Sequence, residues 1–251
     1  MSSLATLTHS TRIATLTLNR PDARNSLSLD LVQALLTRIT ELESRQDLSV
    51  LIVTGEGKAF CAGMDLKAVL SDAALPIKLL SGFAEFCFRL RRLPMVTLAK
   101  VNGAAIGGGC GLAIVCDIAI THADSKMGFP EVDLGVCPAV VAPWLVRKVG
   151  AGRARHILLS GGLMTGQKAF EVGIVNQVVP TREDLDKAVD EAAARLATGG
   201  PNALRATKAL LNELDGSLDL EIGKKAAELS ARVLAMPEVR AMLEAKVAGG
   251  R

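Results

Sequence analysis

Residues 101–120 read Val101-Asn102-Gly103-Ala104-Ala105-Ile106-Gly107-Gly108-Gly109-Cys110-Gly111-Leu112-Ala113-Ile114-Val115-Cys116-Asp117-Ile118-Ala119-Ile120. The run that leads into them, 96–101 (VTLAKV), is apolar and rich in β-branched residues, which suits a buried strand. The glycines at 107–111 then open a short apolar helix, and 116–121 (CDIAIT) reads as the next strand. Strand, glycine-rich turn, helix and strand in succession build an α/β layered fold.

Towards the N-terminus the same rhythm recurs. Residues 12–18 (RIATLTL) alternate polar and apolar as a strand does, Asn19-Arg20-Pro21-Asp22 makes a turn, and Ser28 is placed to cap a helix over 29–45. Residues 49–55 (SVLIVTG) are a buried strand. Towards the C-terminus, 174–179 (IVNQVV) is strand-like, whereas 182–247 is rich in Ala, Leu, Glu, Lys and Arg and broken at Gly199-Gly200-Pro201, Gly216 and Pro237. That pattern predicts helices joined by short turns. The expected organisation is a core over 1–195 and a helical region over 196–251.

Composition removes several functional classes. Of 251 residues, 29 are Lys or Arg and 26 Asp or Glu, a formal net charge of +3 with no polybasic tract, which argues against a nucleic-acid surface. With no Tyr, one Trp and six Phe, the chain also lacks stacking platforms for bases or sugars. Cys61, Cys87, Cys110, Cys116 and Cys137 form an odd set without a C-x-x-C pair, in apolar surroundings, as expected of a reduced cytoplasmic protein. His9, His122 and His156 are scattered, so no protein-bound metal is expected. The N-terminal residues show no basic segment leading into a long apolar run, so neither a signal peptide nor a membrane span is expected. A serine-protease triad is disfavoured by the absence of G-x-S-x-G.

Three stretches carry chemistry. In Lys58-Ala59-Phe60-Cys61-Ala62-Gly63-Met64-Asp65-Leu66-Lys67, small residues follow a strand and an Asp opens a helix, which lets a ligand approach unpaired N–H groups; a plain strand-to-helix turn is the bland alternative. Gly107-Gly108-Gly109 at a helix start matches neither the dinucleotide G-x-G-x-x-G nor a P-loop. The tract either aims N–H groups at a small anion or oxyanion, or packs closely on another backbone. Met127-Gly128-Phe129-Pro130-Glu131-Val132-Asp133-Leu134-Gly135-Val136 sets two acids in an apolar turn, where burial would raise a carboxyl pKa towards the range useful for proton transfer. An extended backbone there would put Glu131 and Asp133 on one face.

In this order and spacing the stretches resemble the crotonase family (enoyl-CoA hydratase/isomerase superfamily). The likeness begins at Leu18-Asn19-Arg20-Pro21 and Asn25-Ser26-Leu27, runs through FCAGMDL, VNGAAIGGGCGLAIVCDIAI and MGFPEVDLG, and ends at 169–179 (AFEVGIVNQVV). The resemblance implies a spiral of ββα units whose C-terminal helices cover the site and join subunits into a trimer or a dimer of trimers. It implies an acyl-CoA substrate, with coenzyme A present only as part of the thioester and no permanently bound cofactor. The backbone N–H groups of Met64 and Gly108 would hold the thioester oxygen. Ala62, Met64, Asp65, Leu66 and Lys67 would line the bound CoA, with Arg24 near its entrance, and Glu131 would be the catalytic acid–base.

Two departures from the family pattern bear on the reaction. Gly111 stands where hydratases of the family carry a first glutamate; if it is what holds water activation down, a Glu introduced there should raise hydration relative to isomerisation. Gly135-Val136-Cys137-Pro138-Ala139-Val140 replaces the usual glycine-rich turn, which puts Gly111, Pro138, Ala139 and Val140 in the acyl pocket and resembles members acting on branched, methylglutaconyl-like enoyl-CoAs. Ala139 would offer an N–H near the water. Hydration of a 2-enoyl-CoA by a single glutamate is the leading expectation, beside double-bond isomerisation and a non-catalytic acyl-CoA binder.

Overall fold

A computed structural model describes residues 3–249, apart from 73 and 218. In chain order it comprises β1 (Ala5–Ser10), β2 (Ile13–Leu18), α1 (Leu29–Glu43), β3 (Val50–Gly55), β4 (Ala59–Cys61), α2 (Leu66–Ser71), α3 (Leu75–Arg92), β5 (Val96–Val101), β6 (Ala104–Ile106), α4 (Gly108–Val115), β7 (Ile118–His122) and β8 (Lys126–Gly128). There follow α5 (Ala142–Val149), α6 (Ala151–Ser160), β9 (Leu163–Thr165), α7 (Gly166–Glu171), β10 (Gln177–Val179), α8 (Glu183–Ala197), α9 (Pro201–Leu214), α10 (Leu220–Leu234) and α11 (Pro237–Gly249).

The strands pair up along the chain. β3, β5 and β7 lie in a six-stranded sheet of order β1-β2-β3-β5-β7-β10, while β4, β6 and β8, each only three residues long, pass into a second sheet of order β4-β6-β8-β9. Each pair places one strand in each sheet, and helices follow it, so the chain advances as a spiral of ββα units. Pairing from β2 to β10 in the larger sheet is parallel, which needs helical crossovers.

Parallel strands covered on both faces lose polar alternation, and β3 is buried at every position. Leu51 and Val53 enter the main core with Ala99, Val101 and Ala119. Val50 and Ile52 face the other way with Leu98 and Ile120, onto Leu185, Val189 and Ala193 of α8. The helix cap expected at Ser28 is present, its side chain accepting the Leu31 N–H at 3.2 Å.

Two local expectations shift. The helix from 29 ends at Glu43, and the strand expected over 174–179 is confined to Gln177–Val179, because the N–H groups of Ile174 and Val175 close the end of α7 on Ala169 O. No described helix is long and apolar enough to cross a membrane. Among the described residues no group of three or more His, Cys, Asp or Glu could hold a metal ion.

Candidate active site

The glycine tract packs closely on another backbone, one of the two things its sequence allowed. A Cβ on Gly109 would fall 2.0 Å from the carbonyl oxygen of Cys61, so α4 lies directly against the β4 backbone. Gly107 has φ +55°, a conformation that costs glycine little, and delivers the chain into the first turn of α4. Gly108 is the first residue of that helix, where an N–H has no intrahelical partner.

Met64 is placed by a short parallel bridge to Leu27, in which Leu27 N–H donates to Gly63 O at 2.7 Å and Asp65 N–H donates to Leu27 O at 3.0 Å. Such a bridge uses the residues on either side of Met64, so its own N–H points away from Leu27. Gly63 brings this strand end next to the helix start, its ideal Cβ position lying 3.8 Å from Gly108 N.

Met64, Gly108 and Glu131 share the wall of a cavity of about 120 Å³. The rest of the lining is largely apolar, including Leu27, Leu79, Leu80, Phe83, Val140 and Val141. Glu131 is the only formally charged side chain of that lining. A Cβ on Gly107 would lie 2.9 Å from Glu131 Oε1, which puts the carboxylate against the start of α4. Its other oxygen, Oε2, is buried without a hydrogen-bond partner among the described residues. Burial raises the carboxyl pKa to about 7, since no cation offsets the lost hydration.

The sequence profile of the Enoyl-CoA hydratase/isomerase family matches residues 8–234. The chain belongs to the enoyl-CoA hydratase/isomerase family. A putative enoyl-CoA hydratase of Thermus thermophilus is 35% identical over 222 residues, 87% of each chain. A crotonyl-CoA hydratase of Syntrophomonas wolfei is 35% identical over 205 residues, covering 80% of this chain and 78% of its own. The crystal structure of an enoyl-CoA hydratase/isomerase from Xanthobacter autotrophicus Py2 superposes with a TM-score of 0.87 at 28% identity, over 100% of this chain and 95% of that one.

In this enoyl-CoA hydratase/isomerase family member, Ala62, Met64 and Leu66 reach the cavity wall. Asp65 does not line it. Its carboxylate caps α2 by accepting the Ala68 N–H and pairs with Arg20 at 2.7 Å, so it fixes the strand-to-helix turn. Arg24 and Lys67 are exposed, outside the lining, and Arg24 O accepts the Ala62 N–H at 3.0 Å, which anchors the arginine beside the site.

Of the residues expected around the acyl group, Pro138 and Val140 line the cavity. Ala139 lies outside it, lining outer grooves. Gly111 is buried behind Val141, whose Cγ1 would sit 2.3 Å from a Cβ at 111. A Glu at 111, expected to raise hydration relative to isomerisation, would meet Val141 in the space its side chain needs. Asp133 is separated too. Val132–Leu134 form one turn of 3-10 helix rather than extended chain, and the Asp133 carboxylate accepts the Gly162 N–H at 2.8 Å, facing α6 and β9 instead of Glu131.

The helical region contributes more than sequence showed. Ser230 and Leu234 of α10 line the cavity, and Ser230 Oγ donates to Cys137 O at 2.8 Å. Leu234, Val239 and Leu243 pack with Val136, Leu134, Met64 and Leu66, so α10 and α11 roof the site from the same chain. The apolar faces of these helices were legible, but not which surface they cover. The Cys61 and Cys110 thiols are pushed up to about 12 by burial, which leaves them without nucleophilic character at neutral pH.

Proposed function

We propose that the enzyme hydrates a 2-enoyl-CoA through an oxyanion-stabilised thioester enolate, with Glu131 as its single acid–base group. The observation that carries this reading is a largely buried carboxylate with a pKa of about 7, whose Oε2 has no hydrogen-bond partner among the described residues, in an apolar cavity whose wall includes Met64 and Gly108. A group poised near neutral pH can both take and return a proton.

Glu131 removes a proton from water as the oxygen bonds to Cβ of the substrate. The π electrons of the Cα=Cβ bond move towards the thioester, whose oxygen becomes the enolate oxygen and accepts from the two N–H groups. The enolate then collapses and Cα takes the proton that Glu131 holds, which gives a 3-hydroxyacyl-CoA and restores the carboxylate. One carboxylate on one wall delivers both water-derived groups to the same face of the double bond.

Gly111 supports a second reading, isomerisation, in which Glu131 carries a proton between two carbons of the acyl chain and no water is activated. Incubation with a panel of straight and branched 2- and 3-enoyl-CoAs, with products identified by mass spectrometry, tests both. A hydroxyacyl product confirms hydration, a shifted double bond supports isomerisation, and no turnover with retained binding supports a non-catalytic acyl-CoA binder. The branched, methylglutaconyl-like substrates rest on the Pro138–Val140 turn. Exposed Arg24 and Lys67 supply charge for the CoA phosphates at the entrance.

The same reading makes the enzyme a trimer or a dimer of trimers. Leu210, Leu211 and Leu214 on α9 are exposed, the last at 74%, as is Leu229 on α10, a larger apolar surface than a helix leaves wet without a partner. Sedimentation at micromolar concentration should show a trimer or hexamer, and a monomer would refute this assembly.

A further inference from the structure

We propose that Val141 sets the length of acyl group the enzyme accepts, by closing the inner end of the cavity against the bare backbone of Gly111. The assignment rests on the acyl-CoA reading above. Gly108 and Gly111 are three positions apart and share one face of α4, and Gly107 is the residue that caps its start. Glu131 meets the chain at Gly107, just before the helix, while the helix face meets Leu27 and Phe83 at Gly108 and Val141 at Gly111. Val141 therefore meets the helix three residues, roughly 4.5 Å along its axis, beyond Gly108 at the helix start.

Three features make it a fixed stop. A Cβ on Gly111 would lie 2.3 Å from Val141 Cγ1 and 3.1 Å from its Cβ, so the valine already rests on the helix backbone. The helix cannot retreat, because on its other side Gly109 is pressed against Cys61 O. Val141 is only 3% exposed, its carbonyl accepts the Leu145 N–H at the start of α5, and its branched side chain has little rotamer freedom.

The space left is small. The cavity of about 120 Å³ is somewhat less than the ~150 Å³ that holds a benzene molecule, which favours a short acyl segment over a long one. A longer chain would have to displace Val141 into a backbone that has no room.

Saturated acyl-CoAs cannot be hydrated, so their affinities report the pocket without the reaction. Dissociation constants of butanoyl-, hexanoyl- and octanoyl-CoA should be measured by calorimetry for the parent enzyme, Val141→Ala and Val141→Ile. The parent should bind butanoyl-CoA better than octanoyl-CoA. Val141→Ala should raise the hexanoyl-to-butanoyl affinity ratio by about tenfold, the discrimination a methylene or two supplies in an apolar pocket. Val141→Ile, a longer side chain on the same cavity wall, should lower that ratio. Equal binding of butanoyl- and octanoyl-CoA by the parent, or an unchanged ratio in the variants, would overturn the proposal. So would a failure to bind any thioester, which would also remove the acyl-CoA reading. Binding in the expected order without turnover of crotonyl-CoA would sink the hydration mechanism and leave the role of Val141 standing.

Discussion

Gly107 and Glu131 meet across the cavity floor, with only 2.9 Å between the carboxylate Oε1 and the place a Cβ on the glycine would occupy. The carboxylate stands where it does because residue 107 has no side chain. Gly107→Ala should push the carboxyl away and also strain a backbone held at φ +55°. A displacement near 1 Å at a reacting group costs about 100-fold in rate. Steady-state kinetics should show kcat reduced by about that factor, and thermal unfolding a loss of about 1–3 kcal/mol from the strained backbone.

Glu131→Gln keeps the shape of the side chain and removes its capacity to take a proton. Turnover should fall by about 100- to 10,000-fold while thioester affinity stays near that of the parent. A variant working at close to the parental rate would refute the assignment of Glu131 as acid–base.

The raised pKa of Glu131 gives two pH signatures of defined sign. As the carboxylate is the base in hydration, kcat/KM should rise with pH through about 7. Stability runs the other way. The folded pKa exceeds the unfolded one, so the protonated group favours folding below its ordinary range near 4.5, and that contribution is lost as pH rises through about 7. Glu131→Gln, neutral throughout, should gain stability over the parent at pH 8 by an amount on the order of 3 kcal/mol, and little at pH 4. Denaturant melts at the two pH values provide the measurement.

Main-chain donors predict an asymmetry between two substitutions on the cavity rim. Gly108→Pro removes an N–H at a first helical position, where its ring also has to shift Leu27, 2.9 Å from the Cβ position, and should lower kcat by about 100- to 1000-fold. Met64→Ala keeps its N–H and should cost far less in kcat, with its effect in KM because the methionine side chain lines the cavity. Similar kcat losses from the two would mean that the oxygen is held elsewhere.

A glutamate at position 111 tests the packing of α4 against Val141. Because the Val141 Cγ1 would sit 2.3 Å from the new Cβ, Gly111→Glu alone should destabilise the enzyme by about 1–3 kcal/mol, as overpacking does, without a gain in hydration. Gly111→Glu combined with Val141→Gly should recover part of that loss, which thermal melts of the single and double variants will show.

Most strands of the larger sheet, though not β1, were legible because periodicity and capping are local: Val96–Val101 carries its apolar run and Ser28 its cap within a few residues of the element they define. The motifs around Met64, Gly108 and Glu131 were legible for the same reason, as small residues and an acid in apolar company have a meaning that survives in one dimension. Three-residue strands such as Ala59–Cys61 and Lys126–Gly128 hold too few residues to show alternation, so the second sheet emerged only when its strands paired. Only tertiary structure decided that Asp133 would turn to Gly162 while Glu131 stayed inside, that Val141 would fill the space beside Gly111, and that Ser230 and Leu234 would reach the cavity from α10. Those outcomes depend on where distant backbones come to rest, and a glycine's missing side chain marks where such an approach is possible without saying what arrives.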